Sequence, residues 1–92
     1  MSFTFEWDPN KAASNARKHG VTFEEASTAF RDERSVTISD PGHSEFEDRY
    51  VLIGRSAQLR ILVVVHTERG DNLRIISARN ANSSESRTYA KA

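Results

Sequence analysis

Phe3, Phe5 and Trp7 alternate with Thr4 and Glu6, the period of a short, half-buried strand. The pattern changes at Asp8-Pro9. Asp8 is placed to cap free backbone N–H groups, and Pro9 suits a first helical turn, where its missing donor costs nothing. The helix so opened is expected to run to about His19. Gly20 supplies the left-handed position that ends it, and Lys18 and His19 sit at the negative end of its dipole. The apolar side of this helix is thin, only Ala12, Ala13 and Ala16, so it must pack closely on something flat. Thr22-Phe-Glu-Glu25 has the form of a capping box and opens a second helix, with Phe23, Ala26 and Phe30 at i, i+3 and i+7.

Beyond this pair of helices the period returns to two. Val36 and Ile38 alternate with Ser35, Thr37 and Ser39, and Asp40-Pro41-Gly42 ends that run before a polar, acidic loop over residues 43–48. Further strands are predicted over residues 49–55, 60–67 and 73–79. Arg69-Gly-Asp-Asn72 is a hairpin signal between the last two. Residues 60–67 are apolar on both faces, which marks the central strand. Asn82-Ser-Ser-Glu85 is a second capping-box-like start, giving a short helix through Tyr89. The order is β-α-α-β-β-β-β-α. It predicts an α+β fold: two N-terminal helices and a short C-terminal helix packed on a four- to five-stranded antiparallel sheet.

At 92 residues the chain has the length of one domain, and 37% hydrophobic with 28% charged residues excludes disordered and collagen-like classes. The longest apolar run, residues 61–65, is far short of the ~20 residues that span a bilayer. The first residues carry no basic and apolar segments of a secretion signal, so no membrane contact and a cytoplasmic location are the expectations. Cysteine is absent, which removes disulfides, thiolate metal sites and cysteine nucleophiles together. The net charge is 13 − 13 = 0, unlike a strongly basic nucleic-acid binder. Yet residues 1–48 carry five Lys/Arg against ten Asp/Glu, and residues 49–92 carry eight against three. Such a chain either presents a basic face to an anionic partner or interleaves its halves on folding.

His19, His43 and His66 lack the spacing of a metal site, and the four glycines read as turns and caps rather than a phosphate loop, so neither metal nor cofactor is expected. Arginine placement says more. In the last strand Leu73, Ile75, Ser77 and Arg79 alternate with Arg74, Ile76 and Ala78. If Ile76 and Ala78 face the helices, Ser77 and Arg79 lie on the open face, and one sheet face can present His66 or Thr67 of the central strand beside an arginine of the last strand. The planar fork of arginine binds phosphate bidentately, although such arginines also solvate a face or pair with Glu68, Glu45 or Glu47. His19 reads either as a helix cap or as a proton-exchanging group beside a phosphate-holding Lys18. His66 reads as a semi-buried strand histidine or as an acid–base candidate.

The run Phe5-Glu-Trp-Asp-Pro-Asn-Lys-Ala-Ala-Ser-Asn-Ala-Arg-Lys-His-Gly-Val-Thr-Phe-Glu-Glu-Ala26 resembles the opening of the BrnT family, the toxin halves of type II toxin–antitoxin pairs. The likeness continues through Asp40-Pro41 with His43-Ser44, Glu47-Asp-Arg49, Ile53-Gly-Arg55, Leu62-Val-Val-Val-His-Thr-Glu68 and Arg74-Ile-Ile-Ser-Ala-Arg79. The resemblance implies a RelE-like fold and a metal-independent ribonuclease that arrests translation. It also implies a BrnA-type antitoxin with a ribbon-helix-helix part, whose complex with the toxin binds operator DNA.

Matching family positions are Lys11, Asn15, Lys18, His19, Glu47, Arg49, Arg60, His66, Glu68, Arg74 and Arg79. His19, Glu47, Glu68, Arg74 and Arg79 are the catalytic candidates, with His66 a further acid–base candidate. Lys11, Lys18, Arg49, Arg60 and His66 are the RNA-binding candidates. One departure matters: where the family commonly continues with basic residues after Arg79, this chain has Asn80, Ser83, Ser84 and Ser86. Fewer cations weaken phosphate binding, so an antitoxin-binding module with weak or no catalysis is the alternative reading, and action on ribosome-bound RNA alone is another.

Overall fold

The carboxylate of Asp8 accepts hydrogen bonds from the N–H groups of Asn10 (2.8 Å) and Lys11 (3.4 Å), opening helix α1 (Pro9–His19). Gly20 ends it at φ 68°, a left-handed conformation that glycine adopts without a Cβ penalty. In this computed structural model, which describes residues 4–40 and 48–92, α1 follows strand β1 (Thr4–Glu6) and precedes helix α2 (Phe23–Thr28). The hydroxyl of Thr22 accepts from the Glu25 N–H at 3.0 Å, but the Glu25 carboxylate does not close the expected capping box. It turns inward instead, to Arg60. α2 is correspondingly short, and Phe30 lies in a 3-10 turn over Ala29–Arg31.

Strands β2 (Val36–Ser39), β3 (Arg49–Arg55), β4 (Ile61–Arg69) and β5 (Asn72–Asn80) follow, and helix α3 (Ser83–Ala90) closes the order. The sheet runs β1-β5-β4-β3-β2, with β4 in the middle as its two apolar faces require. Three pairings are antiparallel; β1 joins the edge of β5 in parallel, Phe5 opposite Leu73, so the sheet is mixed. A parallel pair needs a long connection, and here everything between β1 and β5 supplies it.

β5 carries an irregularity that the simple alternation did not anticipate. Val65 pairs with Ser77 and His66 with Ile75, which leaves Ile76 as an extra residue. The bulge puts Ile75 and Ala78, rather than Ile76 and Ala78, against the helices. Ile75, Ala78, Leu52, Leu62 and Val64 pack there under Val21, Phe23, Ala26 and Ala29. On the opposite sheet face, Ile53 and Val63 form a second cluster under Tyr89 of α3. The contact between the 3-10 turn and β3 is close: a Cβ on Gly54 would sit 2.9 Å from the Ala29 carbonyl oxygen and 3.1 Å from the Cβ of Ser35. Glycine is required at that position by space, not by conformation.

Two buried polar groups fix the helices. Glu25, 5% exposed, accepts from Arg60 through both carboxylate oxygens and from the Ser56 hydroxyl at 2.7 Å, while Arg60 also donates to the Gly20 carbonyl at 3.1 Å. One cluster thus ties α2, the end of α1 and the β3–β4 turn. Asn15, 8% exposed, donates to the carbonyls of Val21 (2.9 Å) and Ala78 (2.8 Å) and accepts from the Ala78 N–H at 3.1 Å. The pairing of β1 with β5 stops at Arg74; further along that edge, the Asn15 amide completes the hydrogen bonding of β5 as a strand would.

Replacing Asn15 leaves buried backbone donors and acceptors unpaired, at ~1–3 kcal/mol for each group not reached by water. Asn15→Ala is expected to lower unfolding free energy by about 2–4 kcal/mol in urea titrations. A loss below ~1 kcal/mol would contradict the clamp.

Candidate functional site

With Asn15 turned into the protein, the residues four before it and three and four after it share its side of α1. These are Lys11, Lys18 and His19. Together with Ser14 they overhang Ile76 and Ser77 of β5 and enclose a groove of about 220 Å³. The β5 bulge places Ile76 in that groove. Lys11 and Lys18 are exposed and His19 is half-buried, so two cations and an imidazole face one solvent-accessible channel.

Ser77 also lines a second groove, about 360 Å³, on the open face of the sheet with Val51, Val63, Val65, Arg79 and Glu85. One residue of β5 therefore borders both the α1 cations and Arg79. Arg79 donates to Glu85 through both terminal nitrogens, at 2.8 and 2.7 Å, and to the Asn80 carbonyl at 3.3 Å. Glu85 in turn accepts from the Asn82 N–H at 2.9 Å, and the Asn82 side chain accepts from the Glu85 N–H at 2.8 Å, the full capping box that starts α3. The bond from Arg79 holds the Glu85 carboxyl below its ordinary range against the opposing effect of burial. It is ionised at neutral pH.

The other candidates lie elsewhere. Arg60 is half-buried and committed to the buried Glu25 and to the Gly20 carbonyl. Arg74 bridges to Glu6 of β1 at 2.8 Å, with Asn72 donating to the other oxygen of the same carboxylate at 3.2 Å. Glu68 is exposed at the far end of β4, opposite Leu73, whereas Arg79 pairs with Val63; five residues of strand separate them, about 16 Å. Arg49 is half-buried at the start of β3, opposite Thr67. Glu47, with His43 and Glu45, lies outside the described residues.

Thr67 pairs with Arg74 across β4 and β5, so it stands beside an arginine of the last strand as expected, whereas Arg79 lies opposite Val63, away from both His66 and Thr67. His66 is 5% exposed on the helix side of the sheet, 4.7 Å from the ring of Phe30 and 5.9 Å from that of Tyr50. Thr67 is also buried, and its hydroxyl donates to the Asp48 carbonyl at 2.6 Å. Burial pushes the His66 pKa down, outweighing a hydrogen bond to the Val64 carbonyl and the charge of Glu68. Sequence reasoning took Glu85 for a cap alone. The missed signal is its spacing from Arg79: six residues around a tight strand-to-helix turn bring the carboxylate at the third helical position back onto the end of the strand.

Among the described residues no group of three or more His, Cys, Asp or Glu is placed to hold a metal ion, and no helix is long and apolar enough to cross a membrane. A family profile described as ribonuclease toxin, BrnT, of type II toxin–antitoxin system matches residues 7–85. Among solved structures, the Brucella abortus ribonuclease toxin BrnT superposes with a TM-score of 0.67, covering 89% of this chain and 100% of that one at 24% identity, a likeness of fold. No curated protein matches the sequence.

A buried imidazole with a lowered pKa stays neutral where an unfolded histidine is already protonated. Its contribution to stability is present above the ordinary value of 6.5 and is lost as pH falls below it. An NMR titration should therefore find the His66 ring neutral at pH 6.5 in the folded protein. A ring half-protonated at or above that pH would contradict the burial argument.

Proposed function

The chain belongs to the BrnT family of ribonuclease toxins from type II toxin–antitoxin systems, and on that premise we propose that it is a metal-independent endoribonuclease, held in check in the cytoplasm by a BrnA-type antitoxin. Membership of a type II system implies an antitoxin partner. The BrnA-type identity, with a ribbon-helix-helix part carrying the complex onto operator DNA, is the partner we propose. The observation that carries the catalytic reading is the convergence of Lys11, Lys18 and His19 on Ser77, with Arg79 on the other side of the same residue.

Cleavage of RNA without a metal uses the neighbouring 2′-OH as nucleophile. It needs an acceptor for that proton, cations for the charge that builds on phosphorus, and a donor for the leaving 5′ oxygen. Lys11 and Lys18 are suited to hold the phosphate chain along α1. Arg79 stabilises the pentacoordinate phosphorus, and His19 exchanges a proton at the reacting oxygens. Arg60 and Arg74 act in this reading by holding α2 and β1 in place. The second reading, a catalytically weak antitoxin-binding module, is favoured by one feature: Arg60, Arg74 and Arg79 each already bridge a carboxylate, and Asn80, Ser83, Ser84 and Ser86 supply no replacement charge.

Purified protein incubated with naked RNA in EDTA is expected to cleave it, leaving a 2′,3′-cyclic phosphate. His19→Ala and Arg79→Ala should each slow cleavage by ~10²–10³ while circular dichroism stays that of the parent. Arg79→Lys should rescue poorly, since an ammonium lacks the two-pronged donor. In cells, induction should halt growth and the antitoxin should restore it. Growth arrest with naked RNA left intact would indicate ribosome-bound substrate, and unimpeded growth at confirmed expression would favour the binding module.

A further inference from the structure

If the protein is a ribonuclease, as the preceding reading has it, a group must take the 2′-OH proton. Glu68 stands at the far end of β4, and His66 is sealed between aromatic rings. Asp40 lines the open-face groove from the end of β2, three strands away from β5, about 14 Å at strand spacing. Glu85 is the carboxylate in direct contact with Arg79, and it lines the same groove as Ser77.

The attacking and leaving oxygens of a phosphoryl transfer lie on opposite sides of phosphorus. A proton acceptor and a proton donor must therefore flank the phosphate from opposite sides. Ser77 has His19 in the groove on one side and the Arg79–Glu85 pair in the groove on the other. We propose that Glu85 is the general base of this site, with Arg79 at the phosphate and His19 as the acid across Ser77. The proton of the 2′-OH passes to Glu85 as the O2′–P bond forms. The P–O5′ bond breaks as His19 delivers a proton to the 5′ oxygen, leaving a 2′,3′-cyclic phosphate and a 5′-OH.

The details of the pair fit that role. Oε1 of Glu85 accepts from both Arg79 and the Asn82 N–H, whereas Oε2 accepts from Arg79 alone among the described hydrogen bonds. Oε2 keeps room for a substrate hydroxyl. The Glu85 side chain is 23% exposed and that of Arg79 42%, so substrate reaches both. Arg79 keeps the carboxylate ionised and ready to accept, and the capping box fixes where it points.

A Glu85 that merely fastened α3 and occupied the Arg79 fork would behave in the opposite way, since its loss would free Arg79 and speed cleavage. Glu85→Gln separates the two, because glutamine still serves the capping box and its amide oxygen still accepts from Arg79. We expect cleavage of a short RNA to fall by ~10²–10⁴, with the acidic limb of the pH–rate profile lost. Binding of a 2′-deoxy analogue that cannot be cut should stay within about threefold of the parent, a change of ~0.65 kcal/mol. Glu85→Asp should recover part of the rate. Cleavage by a folded Glu85→Gln protein at or above the parent rate would overturn the assignment while leaving the ribonuclease reading intact. A parent that cuts no RNA, naked or on ribosomes, would overturn both.

Discussion

The amide of Asn15 is the interaction on which the arrangement depends. It is a short polar group with both of its hydrogen-bonding functions buried, reaching from α1 to a stretch of β5 that β1 does not cover. A buried amide is tolerated only when its partners are complete, and this one completes the backbone of Ala78 while Ala78 completes it. The requirement is mutual and therefore positional. It sets the height of α1 along β5 and its rotation about its own axis. Lys11, Lys18 and His19 line the groove because they share the side of α1 that Asn15 anchors to β5.

Charge follows from folding rather than from composition. The acidic first half and basic second half of the chain are largely interleaved, since Arg60 closes on Glu25 and Arg74 on Glu6. Both bridges join the halves, one inside the fold and one at the sheet edge. The pair at the sheet edge adds little stability in water, whereas Arg60 compensates the buried charge of Glu25. Both also choose which cations stay available. The lysines of α1 are exposed, and Arg79 is paired within its own half, to a carboxylate that rests on the start of α3. A protein of zero net charge can thus keep a local cationic groove.

Much of this was legible in the sequence wherever a local rule decides the outcome. The Asp8 cap, the Gly20 stop, the capping box at Asn82 and the central place of β4 follow from residue types at fixed offsets and from a run apolar on both faces. Three features did not, and each is a long-range effect. The parallel union of β1 with β5 joins strands some 70 residues apart, and nothing in either segment encodes the direction. The bulge at Ile76 shifts the alternation of β5 by one, and no glycine or proline marks it. Glu25 has the spacing of a cap, but its carboxylate finds better partners in Arg60 and Ser56, which lie far along the chain. For the site, the helix face of Lys11, Asn15 and Lys18 was readable from their spacing at i, i+4 and i+7. Its meeting with Arg79 and Glu85 across Ser77 was not.

The central claim is that the α1 groove and the Arg79–Glu85 groove form one phosphate-binding site joined at Ser77. Chemical-shift mapping of the isotopically labelled protein with a 2′-deoxy dinucleotide, which carries one phosphodiester and cannot be cleaved, tests it directly. The account predicts saturable perturbations at Lys18, His19, Ser77, Arg79 and Glu85 within one binding curve. Perturbations confined to the Glu6–Arg74 edge or the β4–β5 turn, with Ser77 and Arg79 unmoved, would contradict it.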